Sequence, residues 1–292
     1  MVSGKRMYRS LLIVASVSLL HFPSGACADV FASKARAYSD QSISHIVNYF
    51  GHPDPRRTIK QYALEKGLTR TQVERQFSAT GKFTCPGAES GTAQIVGRRD
   101  LIVTVGHLFY DQDCRPSDWR QCYFETVFQK RVRVKIKTST ARIPRCLSND
   151  PNSEDDWAIL ELQRPIPFIT PYFIPPEPVT FTAGDRITEV SAQSDNFPHK
   201  APNIGECSIR YVALPNYPKI PYVTDCSNGN GSSGSGQLVR REPGWELKAV
   251  DVFDNTFCHD GVDYDLRKSC FTASAPVSGA FFDALTEMAN QR

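Results

Sequence analysis

The chain reads as an all-β protein made of two successive β units, with helix confined to its ends. Three observations predict this. From about residue 77 onward, short apolar or alternating runs recur between turn-forming residues, the pattern of strands in barrels and sandwiches. Pro165, Pro167, Pro171, Pro175, Pro176 and Pro178 crowd one stretch. Proline cannot donate to a ladder, so this stretch connects two β units rather than lying inside a sheet. Near the end, Phe281, Leu285 and Met288 fall at i, i+4, i+7, a helix with one apolar face.

Residues 1–28 read as an export signal. Lys5, Arg6 and Arg9 make a basic start, residues 11–22 are mostly apolar, and Ala26-Cys27-Ala28 supplies small residues for cleavage after Ala28. The apolar run is short for a bilayer span, which favours a signal over an anchor. An uncleaved anchor is the competing reading. Acylation of Cys27 is disfavoured because Ser24 stands where a lipoprotein signal carries an aliphatic residue. The expected location is secreted or periplasmic, with no membrane attachment once the signal is cut.

Of 34 basic and 31 acidic residues, three bases and no acid lie in the signal. The remainder is balanced, so no nucleic-acid partner is expected. Cys27 leaves with the signal and eight cysteines remain: Cys85, Cys114, Cys122, Cys146, Cys207, Cys226, Cys258 and Cys270. An even set in an exported chain points to disulfides. Short loop closure suggests Cys114 with Cys122 and Cys258 with Cys270.

Residues 29–75 form a helical extension. Apolar spacing suits a helix over 44–50, Gly51 to Pro55 breaks it, and Thr69 offers an N-cap for a second helix over 69–77. The extension is either a removable pro-segment or a permanent packing arm. The first β unit spans 76–170, with strands over 92–96 and 101–105 split by the turn Gly97-Arg98-Arg99-Asp100. A strictly alternating strand over 131–137 and another over 156–162 follow. The second unit spans 171–275, with strands over 186–190, 207–214, 222–225, 237–239 and 246–253, and 276–292 carries the closing helix. About 264 residues suffice for one large core.

Three segments carry chemistry. Leu101-Ile102-Val103-Thr104-Val105-Gly106-His107 ends an apolar strand on a histidine. Asp156-Trp157-Ala158-Ile159-Leu160 opens an apolar strand with an acid. Gly231-Ser232-Ser233-Gly234-Ser235-Gly236 is a glycine-serine loop flanked by strands. A serine hydroxyl needs a neutral imidazole to take its proton, and the imidazole needs a carboxylate to fix its tautomer. His107, Asp156 and Ser233 fit those roles. Asp156 is preferred over Asp155 because it abuts the apolar run, and Ser233 over Ser232 and Ser235 because glycine stands at −2 and +1. The N–H groups of Gly231 and Ser233 are the candidate oxyanion hole.

At these residues the chain resembles the chymotrypsin-fold (trypsin-like) serine peptidases, and more closely the bacterial branch that includes glutamyl endopeptidases. The likeness rests on His, Asp, Ser in that chain order, on D-x-A-x-L at 156–160 and on G-x-S-G-S at 231–235. It also rests on Ser90 to Gly97 before the histidine strand and Trp245 to Phe253 beside the pocket. It covers residues 76–290 and implies two packed six-stranded antiparallel β-barrels with the site between them. The implied activity is a secreted serine endopeptidase acting on polypeptides through an acyl-enzyme. A catalytically inactive trypsin-like binding protein is the alternative.

The resemblance also implies a pocket. Ser227, Asn228 and Asn230 would line one wall, and Val252, Phe253 and Asp254 would pair with substrate backbone as an added strand. Glutamyl endopeptidases place a histidine where Asp251 stands, so an acid there, with Asp254, predicts a preference for basic P1 side chains. Ser232 replaces the aspartate that many animal members use to bind a freshly cut N-terminus, which argues against that mode of activation. Gly236 stands where proline is common. His45, His52, His199 and His259 lack ligand spacing, and Asp111 and Asp113 lack a D-x-D-x-D-G run. No metal or other cofactor is therefore expected, and the oligomeric state is left open.

Overall fold

The computed structural model describes residues 54–86, 90–111, 114–144, 146, 153–193, 197–213, 219–254 and 271–291. The signal region, the helix expected over 44–50 and the pair Cys258–Cys270 lie outside them, as do His45, His52, His259 and Asp113. Among the described residues, no helix is long and apolar enough to cross a membrane.

Twelve strands close into two antiparallel barrels. The first contains β1 (Thr80–Thr84), β2 (Ser90–Ile95), β3 (Leu101–Thr104), β4 (Tyr123–Thr126), β5 (Arg133–Arg142) and β6 (Ala158–Leu162), ordered β1-β2-β3-β6-β5-β4. The second contains β7 (Arg186–Ser191), β8 (Asn203–Val212), β9 (Tyr222–Thr224), β10 (Gly236–Arg241), β11 (Gly244–Asp254) and β12 (Thr272–Pro276), ordered β10-β11-β12-β9-β8-β7. Pairing of β1 with β4 and of β7 with β10 closes the two sheets, so neither leaves a free edge.

Three strands escape the sequence pattern. β1 and β4 are short and meet at Gly81, where a Cβ would press into the Phe124 ring. β12 is small-residue sequence buried along its whole length, so it shows no alternation. The strand expected over 131–137 runs on to Arg142, past a register shift after Lys137. Thr140 Oγ1 steadies that shift by donating to the Lys137 carbonyl and accepting from Glu161 N–H.

The proline-rich connection stays outside both ladders but touches each. Tyr172 bridges to Val96 and Phe173 to Glu246. Tyr172 N–H reaches the Ile95 carbonyl (3.0 Å) and Phe173 N–H the Trp245 carbonyl (2.8 Å).

Among the described residues, two helices precede the barrels, α1 (Ile59–Glu65) and α2 (Arg70–Gln76). Each starts with a capping box, Thr58 with Gln61 and Thr69 with Gln72, reciprocal bonds that satisfy two otherwise orphaned N–H groups. This stretch packs against both barrels. Arg57 exchanges backbone hydrogen bonds with Ile204 on β8. The fully buried Phe77 packs against Tyr62, Phe128 and Trp245. The closing helix α3 (Gly279–Asn290) buries Phe281, Leu285 and Met288. Its Phe281 stacks on Trp157, centroids 5.1 Å apart and planes 8° off parallel.

Among the described residues, three disulfides join Cys85 to Cys122, Cys114 to Cys146 and Cys207 to Cys226. The expected Cys114–Cys122 pairing is therefore wrong. Sheet register decides the partner: Thr84 faces Tyr123 across the β1–β4 ladder, which places the next residue, Cys85, beside the preceding one, Cys122. Short loop closure does not compete with that geometry.

Candidate active site

His107 sits in a single 3-10 turn, Gly106–Phe109, just after β3, and Asp156 lies two residues before β6. β3 and β6 pair from Leu101↔Glu161 to Thr104↔Ala158, so the ladder brings the two segments together. Both carboxylate oxygens of Asp156 are used. Oδ1 accepts the His107 backbone N–H at 2.8 Å and Oδ2 lies 2.7 Å from His107 Nδ1. An ionised carboxylate only accepts, so Nδ1 carries the proton, and in the neutral ring the lone pair lies on Nε2. Asp156 is buried while the His107 side chain is 34% exposed. Trp157, stacked on α3, fixes the backbone next to the acid.

The loop 227–235 between β9 and β10 carries the serines. The Ser232 hydroxyl accepts the Gly229 N–H (3.1 Å), and the Ser235 hydroxyl donates to the Ser232 carbonyl (2.5 Å). Both are buried and used within the loop, whereas Ser233 is half-buried. The N–H groups of Gly231 and Ser233 donate to no atom among the described residues.

Main-chain contacts place Ser233. Its carbonyl accepts the Thr92 N–H at 2.8 Å. A Cβ on Gly91 would lie 2.6 Å from that carbonyl oxygen and 2.5 Å from Leu108 Cδ1. The serine loop and the histidine turn thus converge on one glycine. Among the described residues, no hydrogen bond joins Ser233 to the imidazole. Gly234 has φ +86°, and a Cβ there would meet the Thr92 carbonyl and lie 2.5 Å from Thr104 Oγ1. Only glycine fits both the turn and the space.

Sequence reasoning missed the polar contacts across the seam. Thr92 Oγ1 donates to the Gly231 carbonyl (3.2 Å) and accepts the Ala192 N–H (3.1 Å). Thr104 Oγ1 donates to the Thr92 carbonyl (2.6 Å), and Gln94 Nε2 to the Gly234 carbonyl (2.9 Å). Thr92 and Gln94 alternate with apolar residues, and in the structure both are fully buried.

Of the expected pocket residues, Ser227 and Asn228 are buried and Asn230 is exposed. Asn228 Nδ2 donates to Thr272 Oγ1 at 3.5 Å, while its buried Oδ1 has no hydrogen-bond partner among the described residues. Asp251 is buried and faces Ser274 across the β11–β12 ladder. Nearby, Gln237 Nε2 donates to Ser274 Oγ (2.7 Å) and to the buried Glu189 (3.3 Å), and Tyr222 donates to Gln237 Oε1 (2.8 Å). Burial first, then the charges of Asp251 and Glu189, push the Tyr222 phenol well above its usual pKa. Glu189 lies beside Cys207 and Cys226, but the disulfide removes both thiolates. The β10–β11 pairing ends at Gly236↔Val250. Farther along, Phe253 and Asp254 pair with β12, and Val252 sits in the register shift, its side chain buried.

No family model matches this sequence, and no curated protein does. Solved structures do match. A Glu endopeptidase superposes with TM-score 0.56 at 14% identity, over 82% of this chain and 99% of that one. The protease Anisep from Arthrobacter nicotinovorans gives TM-score 0.55 at 12% identity, over 74% of this chain and 98% of that one. The thermostable serine protease AL20 from an extremophilic microorganism gives TM-score 0.56 at 13% identity, over 74% of this chain and 99% of that one. The fold is that of the chymotrypsin-type serine proteases.

Proposed function

We propose that the chain is an exported serine endopeptidase. The observation that carries this reading is the pair of hydrogen bonds that His107 donates to Asp156, on a histidine turn that meets Gly91 as the Ser233 loop does. In the proposed cycle Ser233 Oγ attacks the scissile carbonyl while His107 Nε2 takes its proton. The N–H groups of Gly231 and Ser233 receive the oxyanion. The imidazolium then protonates the departing amine, and water, activated by the same base, releases the acid from the acyl-enzyme. Export after Ala28 fits the three disulfides, which persist in oxidising compartments.

The same reading assigns Ser227, Asn228, Asn230 and Asp251 to the primary pocket and Val252, Phe253 and Asp254 to substrate backbone pairing. A cationic P1 side chain is favoured. The orphaned Asn228 Oδ1 offers an acceptor to a donor, and the acids Asp251 and Glu189 bias the surrounding potential negative. An acidic P1 side chain, which the similarity to a Glu endopeptidase brings in, would set acceptor against acceptor there. Labelling with a phosphonylating serine reagent, compared with Ser233→Ala, tests the chemistry. Labelling that survives Ser233→Ala would place the nucleophile elsewhere, and no labelling at all leaves the non-catalytic binding protein. A peptide library tests the pocket, and cleavage after glutamate rather than lysine or arginine would overturn the cationic preference.

A further inference from the structure

Gln94 lies one residue before the end of β2, opposite Thr80 on β1 and Val103 on β3, with no exposed surface. A buried primary amide is costly unless bonded, and this one is bonded at both ends. Oε1 accepts from Thr80 Oγ1 at 2.6 Å, and Thr80 Oγ1 lies 2.7 Å from the Tyr172 hydroxyl. Nε2 donates to the Gly234 carbonyl at 2.9 Å. The N–H of that same glycine donates to the Asp251 carbonyl of the second barrel at 2.7 Å. The residue after Ser233 is therefore gripped from both barrels, and Gln94 is the side chain that supplies the grip from the first.

The position of Gly236 carries a second, independent sign of this role. A Cβ built there would lie 2.8 Å from Gln94 Cδ and 3.0 Å from Oε1. The amide cannot swing aside cheaply, because doing so breaks both hydrogen bonds. Gly236 is glycine because the Gln94 amide occupies the space a side chain would need.

We propose that Gln94 is a positioning residue: its amide, anchored on Thr80, fixes the Gly234 peptide and thereby the direction of the Ser233 hydroxyl and N–H, with Gly236 as its steric partner. This rests on the reading of the chain as a serine endopeptidase. A pure space-filling role would be served as well by an apolar side chain of the same length.

The test is Gln94→Met, which keeps length and volume and removes both hydrogen bonds. Per folded molecule, counted by circular dichroism, kcat and the rate of phosphonylation should fall together by about 10–100-fold with KM little changed, the cost of a displaced nucleophile and oxyanion donor. A merely structural role lowers the melting temperature and leaves turnover per folded molecule intact. Gly236→Ala should slow phosphonylation in the wild-type background and have no further effect on top of Gln94→Ala, where the added methyl has room. A folded Gln94→Met variant with wild-type turnover, or a Gly236→Ala cost that is the same with and without Gln94, overturns the proposal while the peptidase reading stands. A wild-type chain inert to the reagent overturns the peptidase reading, and with it any role of Gln94 in turnover.

Discussion

Asp156→Asn isolates the orienting acid with almost no change in shape. Two bonds constrain the outcome: the His107 backbone N–H to Oδ1 at 2.8 Å and His107 Nδ1 to Oδ2 at 2.7 Å. Asparagine offers one oxygen and one NH2 group. If the NH2 faced the backbone N–H, two donors would meet in a buried site, at about 1–3 kcal/mol for each group left unpaired. The backbone N–H cannot change its role, but the imidazole can. The oxygen therefore stays with the backbone, the NH2 faces Nδ1, and the ring proton moves to Nε2. On the proposed reading, the base would then have no lone pair for Ser233. The same substitution in a chymotrypsin triad lowers kcat by about 10⁴, or roughly 5 kcal/mol of barrier, and a loss of that order is expected here. Folding stability should fall by only about 1–2 kcal/mol, because one hydrogen bond is exchanged for another. Peptidase turnover and phosphonylation rate, measured beside a thermal melt, separate the two effects. A loss below tenfold, or one that tracks the folded fraction, would refute the tautomer argument.

Gly234→Ala places a methyl against the Thr92 carbonyl and Thr104 Oγ1 at positive φ; overpacking plus backbone strain predicts about 2–5 kcal/mol of destabilisation in denaturant melts, and a cost under 1 kcal/mol would mean the loop moves freely. Phe77→Ala should cost about 3–5 kcal/mol, because this buried ring joins α2 to both barrels; a near-neutral result would favour residues 54–77 as removable. Stability should also fall in alkali. Burial first, then Glu206 and Glu65, raise the Tyr62 pKa from 10.0 to about 12. The folded state thus favours the neutral phenol, a contribution complete below pH 10.0 and lost as pH rises to about 12. Tyr62→Phe should flatten part of that decline in melts followed by tyrosinate absorbance, and an unchanged pH profile would remove Tyr62 from the account.

The strands legible in sequence were those whose side chains alternate between two unlike faces or form an apolar run. β5 alternates because one face is wet, and β3 and β6 are continuous because both faces are covered. β12 failed because Thr272, Ala273, Ser274 and Ala275 are all buried; small residues suit the crowded interior but give no hydropathy signal. α1 was missed although Thr58 and Gln61 spell a capping box, a local signal outweighed by the nearby glycine and prolines. The Cys114–Cys122 pairing failed for a different reason. The partner of Cys122 is set by the β1–β4 pairing that closes the first barrel, and no loop length in the sequence encodes that. The His107–Asp156 contact was legible because both residues flank apolar strands that pair.

Thr92 and Gln94 show where periodicity misleads at the site itself. A strand at the seam of two barrels has no wet face, yet its alternate positions are polar, because the loop packed against it presents carbonyls rather than side chains. Apolar packing would hold that loop as firmly but would tolerate sliding, since dispersion is not directional. Hydrogen bonds to the carbonyls of Gly231 and Gly234, and from Thr92 N–H to that of Ser233, specify distance and angle. Gly234 extends this logic across the molecule, because its N–H is bound by the second barrel through Asp251 and its carbonyl by the first through Gln94. A shift of either barrel against the other breaks one of those bonds. The Asp251 residue whose carbonyl holds the nucleophile loop is also the one whose side chain is assigned to the pocket. On the proposed reading, a substrate side chain drawn toward Asp251 would load the peptide whose carbonyl holds Gly234, next to Ser233, so recognition and chemistry would share one mechanical link.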